Sequence, residues 1–104
     1  MSTQDMRDEM REVVADIVRL IHPEKIILFS QKHSLQGEMV SFKLCVVADC
    51  ADKAQTERQL YLEIDSPVPF DVVLYTPEEF AQLKALRGTF ASKVRAKGKV
   101  LYEA

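Results

Sequence analysis

The sequence has little of what marks a disulfide-rich, zinc-binding or membrane-spanning protein. It contains two cysteines, three glycines and four prolines, and it has no tryptophan. Cys45 lies in an apolar run, and Cys50 has no histidine or further cysteine beside it, so neither a disulfide framework nor a metal site is expected. No apolar run approaches the roughly 18 residues of a membrane span. The charged N-terminus is unlike a signal peptide, and we expect a reduced, cytoplasmic protein.

A strong excess of charge of either sign is also missing. The 14 basic and 16 acidic residues give a formal net charge of -2. A nucleic-acid-binding surface needs clustered lysine and arginine. The only basic cluster is Lys93, Arg95, Lys97 and Lys99, and its spacing is typical of a solvated helix end. We therefore expect neither a nucleic acid nor a membrane as a partner.

Helical and strand-like patterns alternate along the 104 residues. An apolar stripe from Met6 to Ile21 predicts an opening helix, which Pro23 ends. Short apolar runs predict strands at residues 25–29, 40–48, 70–75 and 100–102. The polar stretch 30–39 predicts a loop or a short irregular helix.

The second half of the chain carries clear helix signals. Residues 53–64 predict a helix with Ala54, Leu60, Tyr61 and Ile64 as core contacts. Thr76, Pro77 and Glu79 predict the start of a further helix with Leu86 in its buried stripe, and a last short helix precedes Gly98. Together these elements predict an α+β (α/β-like) fold, with helices packed on a small mixed sheet. We expect one domain covering residues 1–104.

Two predicted strands carry polar residues that bear on function. Because side chains alternate along a strand, Ser41 and Lys43 share one face of the second strand. Asp71 occupies an early position in the third strand. A divalent metal bound between these strands would require acids at all three positions, and the sequence offers one.

Three segments together resemble a known family: Pro-Glu-Lys-Ile-Ile-Leu-Phe at 23–29, Asp-Val-Val-Leu-Tyr-Thr-Pro-Glu-Glu-Phe at 71–80 and Gly-Lys-Val-Leu-Tyr-Glu at 98–103. This set is similar to the minimal nucleotidyltransferases, the small branch of the polymerase-beta-like nucleotidyltransferase superfamily. The resemblance implies a Gly-Ser pair after the first strand, at a helix start that holds phosphates. It also implies an Asp-x-Asp in the second strand and a third Asp in the third strand, for magnesium-dependent transfer.

The chain departs from that pattern at most of these positions. Ser30 and Gln31 stand where the family has Gly-Ser, and Ser41 and Lys43 stand where it has the two acids. Asp71 remains as a relic of the third acid. We therefore expect a degenerate, metal-free site in which Lys43 can pair with Asp71, with Mg²⁺ and a nucleoside triphosphate as cofactors only if the site is rearranged.

Three classes of function remain open. The first is a catalytically inactive domain that binds a protein, such as the antitoxin-like partner of a helical HEPN-type toxin, as the resemblance implies. The second is an active nucleotidyltransferase that uses an NTP and a rearranged magnesium site. The third is a structural, homo-oligomerising or nucleotide-sensing domain. The missing acids favour the first and third, and we rank the first highest.

Each candidate residue also has a plainer explanation. Ser30 fits a helix N-cap, and Lys43 fits a lysine that protects an edge strand. Asp71 fits a polar residue at the start of a strand, and Lys32 with His33 fits a solvated loop.

Overall fold

The structure is a computed structural model that describes residues 8–86 and 88–104, without the side chain of Arg95. Within those residues the elements are α1 (Asp8–Ile21), β1 (Lys25–His33), β2 (Met39–Val47), α2 (Lys53–Glu63), β3 (Phe70–Tyr75), α3 (Pro77–Leu83), α4 (Phe90–Lys97) and β4 (Lys99–Glu103). The predicted α+β fold is confirmed. Met6, at the start of the predicted stripe, lies outside the described residues.

The four strands form one mixed sheet in the order β3-β2-β1-β4. β1 runs antiparallel to β2 and to β4, whereas β2 and β3 are parallel. A parallel pair needs a crossover connection, and α2 provides it here. β2 is therefore a central strand, with a neighbour on each side.

Helices cover both faces of the sheet. On one face, α1 and α2 pack on Phe42, Leu44 and Val46 of β2. On the other face, Cys45 and Val47 pack in a second cluster with residues of α3 and α4. We call these the α1/α2 face and the α3/α4 face. Because strand side chains alternate, Ser41 and Lys43 share the α3/α4 face with Cys45.

The segment 30–39 differs from the prediction of a loop or short helix. β1 continues to His33, and a tight turn leads into β2. In this turn the Ser34 N–H donates to the Glu38 carbonyl at 2.8 Å, and Gly37 adopts a φ of 86°. The prediction was wrong because this end of β1 extends past the buried core. Its side chains are exposed and polar, so the sequence there lacks the alternation of apolar and polar residues that indicates a strand.

Two further predictions about the core also need correction. Leu60 and Ile64 are buried as predicted, but Ala54 is exposed and Tyr61 is 41% exposed. α3 ends before Leu86, which is 55% exposed rather than part of a buried stripe. Among the helices of the described residues, none combines the length and the apolar character needed to cross a membrane.

Candidate functional site

Three of the sequence-predicted site residues form a row across the sheet. Ser30 of β1 lies opposite Lys43 of β2, and Lys43 lies opposite Asp71 of β3. Directly opposed residues share a face, with Cβ atoms about 5 Å apart in antiparallel pairs. We call Ser30, Lys43 and Asp71 the polar row. Ser41 lies on the same face, two positions before Lys43.

Gln31 does not join the polar row. It lies opposite Phe42, a residue of the α1/α2 face, and its side chain is exposed. The register explains the difference, since Leu28 pairs with Leu44 and Ser30 with Lys43, which leaves Phe29 as an extra residue. A bulge of this kind re-aims the residues that follow it.

The phosphate-binding turn implied by the resemblance is not formed by Ser30 and Gln31. Both residues lie inside β1, and the chain between β1 and β2 forms a turn rather than a helix. Ser30 is therefore not a helix N-cap, and it does not lie in an array of N–H groups at a helix start. Lys32 and His33 also belong to β1 rather than to a loop.

The expected pairing of Lys43 with Asp71 is not observed. Ion pairs within 4 Å join other described side chains, namely Arg19 with Asp16, Lys25 with Glu103 and Lys53 with Glu79. Asp71 is exposed, and Lys43 is half-buried. A lysine in this position packs its stem on the sheet and keeps its ammonium group hydrated. The interpretation of Lys43 as an edge-strand lysine is also wrong, because β2 is a central strand.

The polar row does not fit a magnesium ion. Mg²⁺ prefers a near-octahedral set of hard oxygen ligands, and the row supplies one carboxylate. In the part of the chain that the structure describes, no group of three His, Cys, Asp or Glu side chains is placed to hold a metal. The Lys43 ammonium adds repulsion of roughly several kcal/mol against a divalent ion about 5 Å away, at an effective dielectric constant near 20.

A small groove adjoins the polar row at the outer side of β1. Its volume is about 250 Å³, and its lining residues are Leu28, Phe29, Ser30, Gln31, Lys97 and Lys99. It forms where β4 begins, because the first residue of β4, Lys99, pairs with Leu28 and no β4 residue pairs with β1 beyond it. A larger cavity of about 430 Å³ lies along α2 between Asp52 and Glu63, and among the described residues its lining comes from α2 and its cap.

The sequence does not predict that Lys97 lines the same groove as Ser30. The spacing of the basic cluster near the C-terminus predicts only a solvated helix end. The available signal was Gly98, which ends α4 and returns the chain to β1 as β4. Because the turn is tight, the last basic residue of the helix, Lys97, lines the same groove as Ser30 of β1.

No activated nucleophile is found among the described cysteines. Burial raises the pKa of the Cys45 thiol to about 12. Burial also raises the pKa of Cys50 above its usual value. Both thiols therefore stay protonated at neutral pH and are poor nucleophiles.

Taken together, the α3/α4 face at this end of the sheet offers positive charge and hydroxyl groups. Lys43 and Lys97 supply the charge, Ser30 and Ser41 supply the hydroxyls, and Asp71 is the one carboxylate of the row. This set suits the recognition of an anionic group better than metal-dependent chemistry. Nothing among the family models, the curated proteins and the solved structures matches this chain.

Proposed function

We propose that this protein is a catalytically inactive nucleotidyltransferase-like domain that acts by binding another protein. The observation that carries the proposal is the polar row, in which a lysine lies between a serine and a single aspartate on neighbouring strands. In an active enzyme of the resembling family, that central position would carry a metal-binding acid. Here Lys43 occupies it and opposes a divalent ion.

The sheet register supports the alignment on which the proposal depends. The resemblance requires the Asp-x-Asp positions of the second strand to lie beside the acid of the third strand. β2 and β3 are parallel neighbours, and Lys43 lies directly opposite Asp71. If β2 were shifted by one residue against β3, Lys43 would point to the other face of the sheet and would not lie opposite Asp71.

The course of β1 supports the inactive state independently. Phosphate binding by backbone N–H groups requires a helix start or a comparable turn at the site. Ser30 and Gln31 lie inside β1, a strand of nine residues, where the backbone is extended. A nucleotide would therefore lack both its metal and its phosphate-binding turn.

The partner that the resemblance implies is a helical HEPN-type protein, with this chain as the antitoxin-like member of the pair. The proposal places both proteins in the cytoplasm, where the free thiols of Cys45 and Cys50 stay reduced. Co-expression of this chain with the product of a neighbouring helical gene tests this part. Recovery of a stable complex is expected, and a homo-oligomer of this chain beside a free neighbouring product would contradict it.

Restoring the missing acids tests the inactive site directly. The double variant Ser41→Asp with Lys43→Asp would place three carboxylates together, and we expect it to bind Mg²⁺ or Mn²⁺ where the wild type does not. Adding Asp71→Asn to the double variant is the matched control, because it removes one ligand and should abolish the new metal binding. Calorimetric titration measures the metal affinity of the wild type, the double variant and the triple variant.

Two results would reject the proposal. If the wild type binds Mg²⁺ with ATP and is stabilised by them in a thermal-shift assay, the domain is a nucleotidyltransferase with a rearranged site. If the double variant folds and ignores the metal, Ser41 and Lys43 are not the positions of the lost acids, and the resemblance fails with them.

A further inference from the structure

Three lysines at one end of the α3/α4 face have no ion-pair partner in the described part of the chain. They are Lys32, Lys43 and Lys97. Lys25 and Lys53, by contrast, pair with carboxylates at 3.4 and 3.0 Å. The three unpaired lysines belong to β1, β2 and α4. They are separated in the sequence, and the fold places them at the same end of the sheet.

These lysines border a stretch of β1 that has a neighbour on one side only. β4 pairs with β1 from Lys25 to Leu28, whereas β2 pairs with it as far as His33. Over residues 30–33, no described strand lies on the β4 side of β1. The backbone groups that point to that side are not paired with a described strand, and an unpaired strand edge is a template for a further strand.

We propose that this open edge of β1 binds an extended, acidic segment of the partner protein, which continues the line of β4. The inference rests on the proposed function and names the surface and the chemistry of its partner. Strand addition supplies main-chain hydrogen bonds, and the side-chain pairs supply the specificity. Charge complementarity to Lys32, Lys43 and Lys97 selects an acidic strand.

The register of the sheet specifies where the acidic residues should stand. Ser30 and Lys32 point to the α3/α4 face, because they lie opposite Lys43 and Ser41. A strand added beside them presents every second side chain to that same face. An acid opposite Lys32 would therefore meet that lysine directly. An acid opposite Ser30 would lie beside the groove that Lys97 lines, with Lys43 one strand further across the sheet.

The plainer role of Lys32 is to keep the edge from pairing with other chains. An edge lysine does this by leaving a charge unpaired in any ordinary strand pairing. A strand with an opposed carboxylate escapes that penalty, since opposite charges across a strand pair are stabilising. The lysines that exclude most strands thus favour an acidic one.

The test uses the full chain and synthetic peptides of about ten residues, the upper end of common strand lengths. One peptide alternates glutamate with valine and threonine, and a second replaces each glutamate with lysine. A third keeps the glutamates and has prolines at intervals, which prevent strand pairing. Fluorescence anisotropy measures affinity, and amide chemical shifts locate the bound peptide.

Of the three peptides, we expect only the alternating acidic one to bind. Its binding should change the amide chemical shifts of residues 29–33, and its affinity should fall as the salt concentration rises. The variant Lys32→Glu with Lys97→Glu should lower the affinity at least about tenfold. The variant Arg11→Glu with Arg58→Glu makes the same charge change at exposed positions of α1 and α2. It should leave the affinity for the acidic peptide unchanged.

Other outcomes overturn the inference. Equal binding of the proline-containing peptide would mean that charge acts without strand addition. Tighter binding of a single-stranded oligonucleotide of equal charge would assign the surface to nucleic acid. If no peptide binds while the wild type stays inert to Mg²⁺ and ATP, the assigned surface is wrong and the inactive site still stands.

Discussion

Replacement of Gly98 by alanine separates two physical effects of opposite sign. Gly98 ends α4, and its N–H donates to the Val94 carbonyl at 2.7 Å. Its φ of -75° and ψ of 160° are open to any residue. On backbone grounds alone, alanine would stabilise the protein by about 0.4–1 kcal/mol, because it restricts the unfolded chain.

The space around Gly98 predicts the opposite result. A Cβ atom there would lie 2.5 Å from the Val94 carbonyl oxygen and 3.3 Å from that of Leu28, and it would also collide with Cγ2 of Ile27. The two oxygens belong to the backbone, and Ile27 is only 3% exposed, so none can rotate away freely. Overpacking of this kind costs about 1–3 kcal/mol, and a net loss of about 1–2 kcal/mol is expected.

Urea unfolding followed by circular dichroism measures the change. The cost of Gly98→Ala should shrink in an Ile27→Ala background, since that change removes one of the three clashes. Gly37→Ala is the control: nothing lies within 4 Å of its Cβ position, and its φ of 86° alone costs about 1 kcal/mol, without coupling to Ile27. A Gly98→Ala protein as stable as the wild type would refute the reasoning.

Three further predictions concern single polar groups. Tyr61→Phe removes the hydroxyl that accepts the Val72 N–H at 2.7 Å. It should cost about 1 kcal/mol and speed exchange of that amide, so unchanged exchange would contradict it. The Thr76 N–H holds the pKa of Glu79 below its usual 4.5, so stability should fall as pH drops below that value. Glu79→Gln should flatten this part of the urea-midpoint profile. Cys45, with a pKa of about 12, should react with iodoacetamide at neutral pH only after unfolding, as mass spectrometry of the labelled protein would show.

The start of α3 shows what local sequence signals can predict. Thr76, Pro77 and Glu79 predict a capped helix start, and the structure has the full capping box. The Thr76 hydroxyl accepts the Glu79 N–H at 3.2 Å, and the Glu79 carboxylate accepts the Thr76 N–H at 3.0 Å. All of these groups lie within four residues, so the chemistry can be deduced from the sequence without the fold.

The continuation of β1 shows where such signals end. Residues 30–33 form a strand because β2 pairs with them, and pairing leaves no apolar pattern when the side chains are exposed. Tyr61 is a similar case, since its hydroxyl meets Val72 of β3 across the edge of the sheet. The Lys53–Glu79 ion pair joins residues 26 positions apart. None of these contacts has a local signature.

The candidate site was predicted in part for the same reason. Alternation along one strand was enough to place Ser41 and Lys43 on one face. Only the register between strands aligns Ser30, Lys43 and Asp71, and only the turn after α4 brings Lys97 into the groove that Ser30 lines. The residues of the site can therefore be predicted from the sequence, but which of them lie next to each other cannot.

The central position of β2 gives Lys43 its significance. A lysine on an edge strand has a general role, because it discourages pairing with other chains. Lys43 has β1 on one side and β3 on the other, so that role does not apply to it. It is half-buried, and no carboxylate within 4 Å pairs with it among the described side chains. A lysine in the middle of a sheet, between a serine and an aspartate with which it forms no ion pair, is well placed to meet the carboxylate of another molecule.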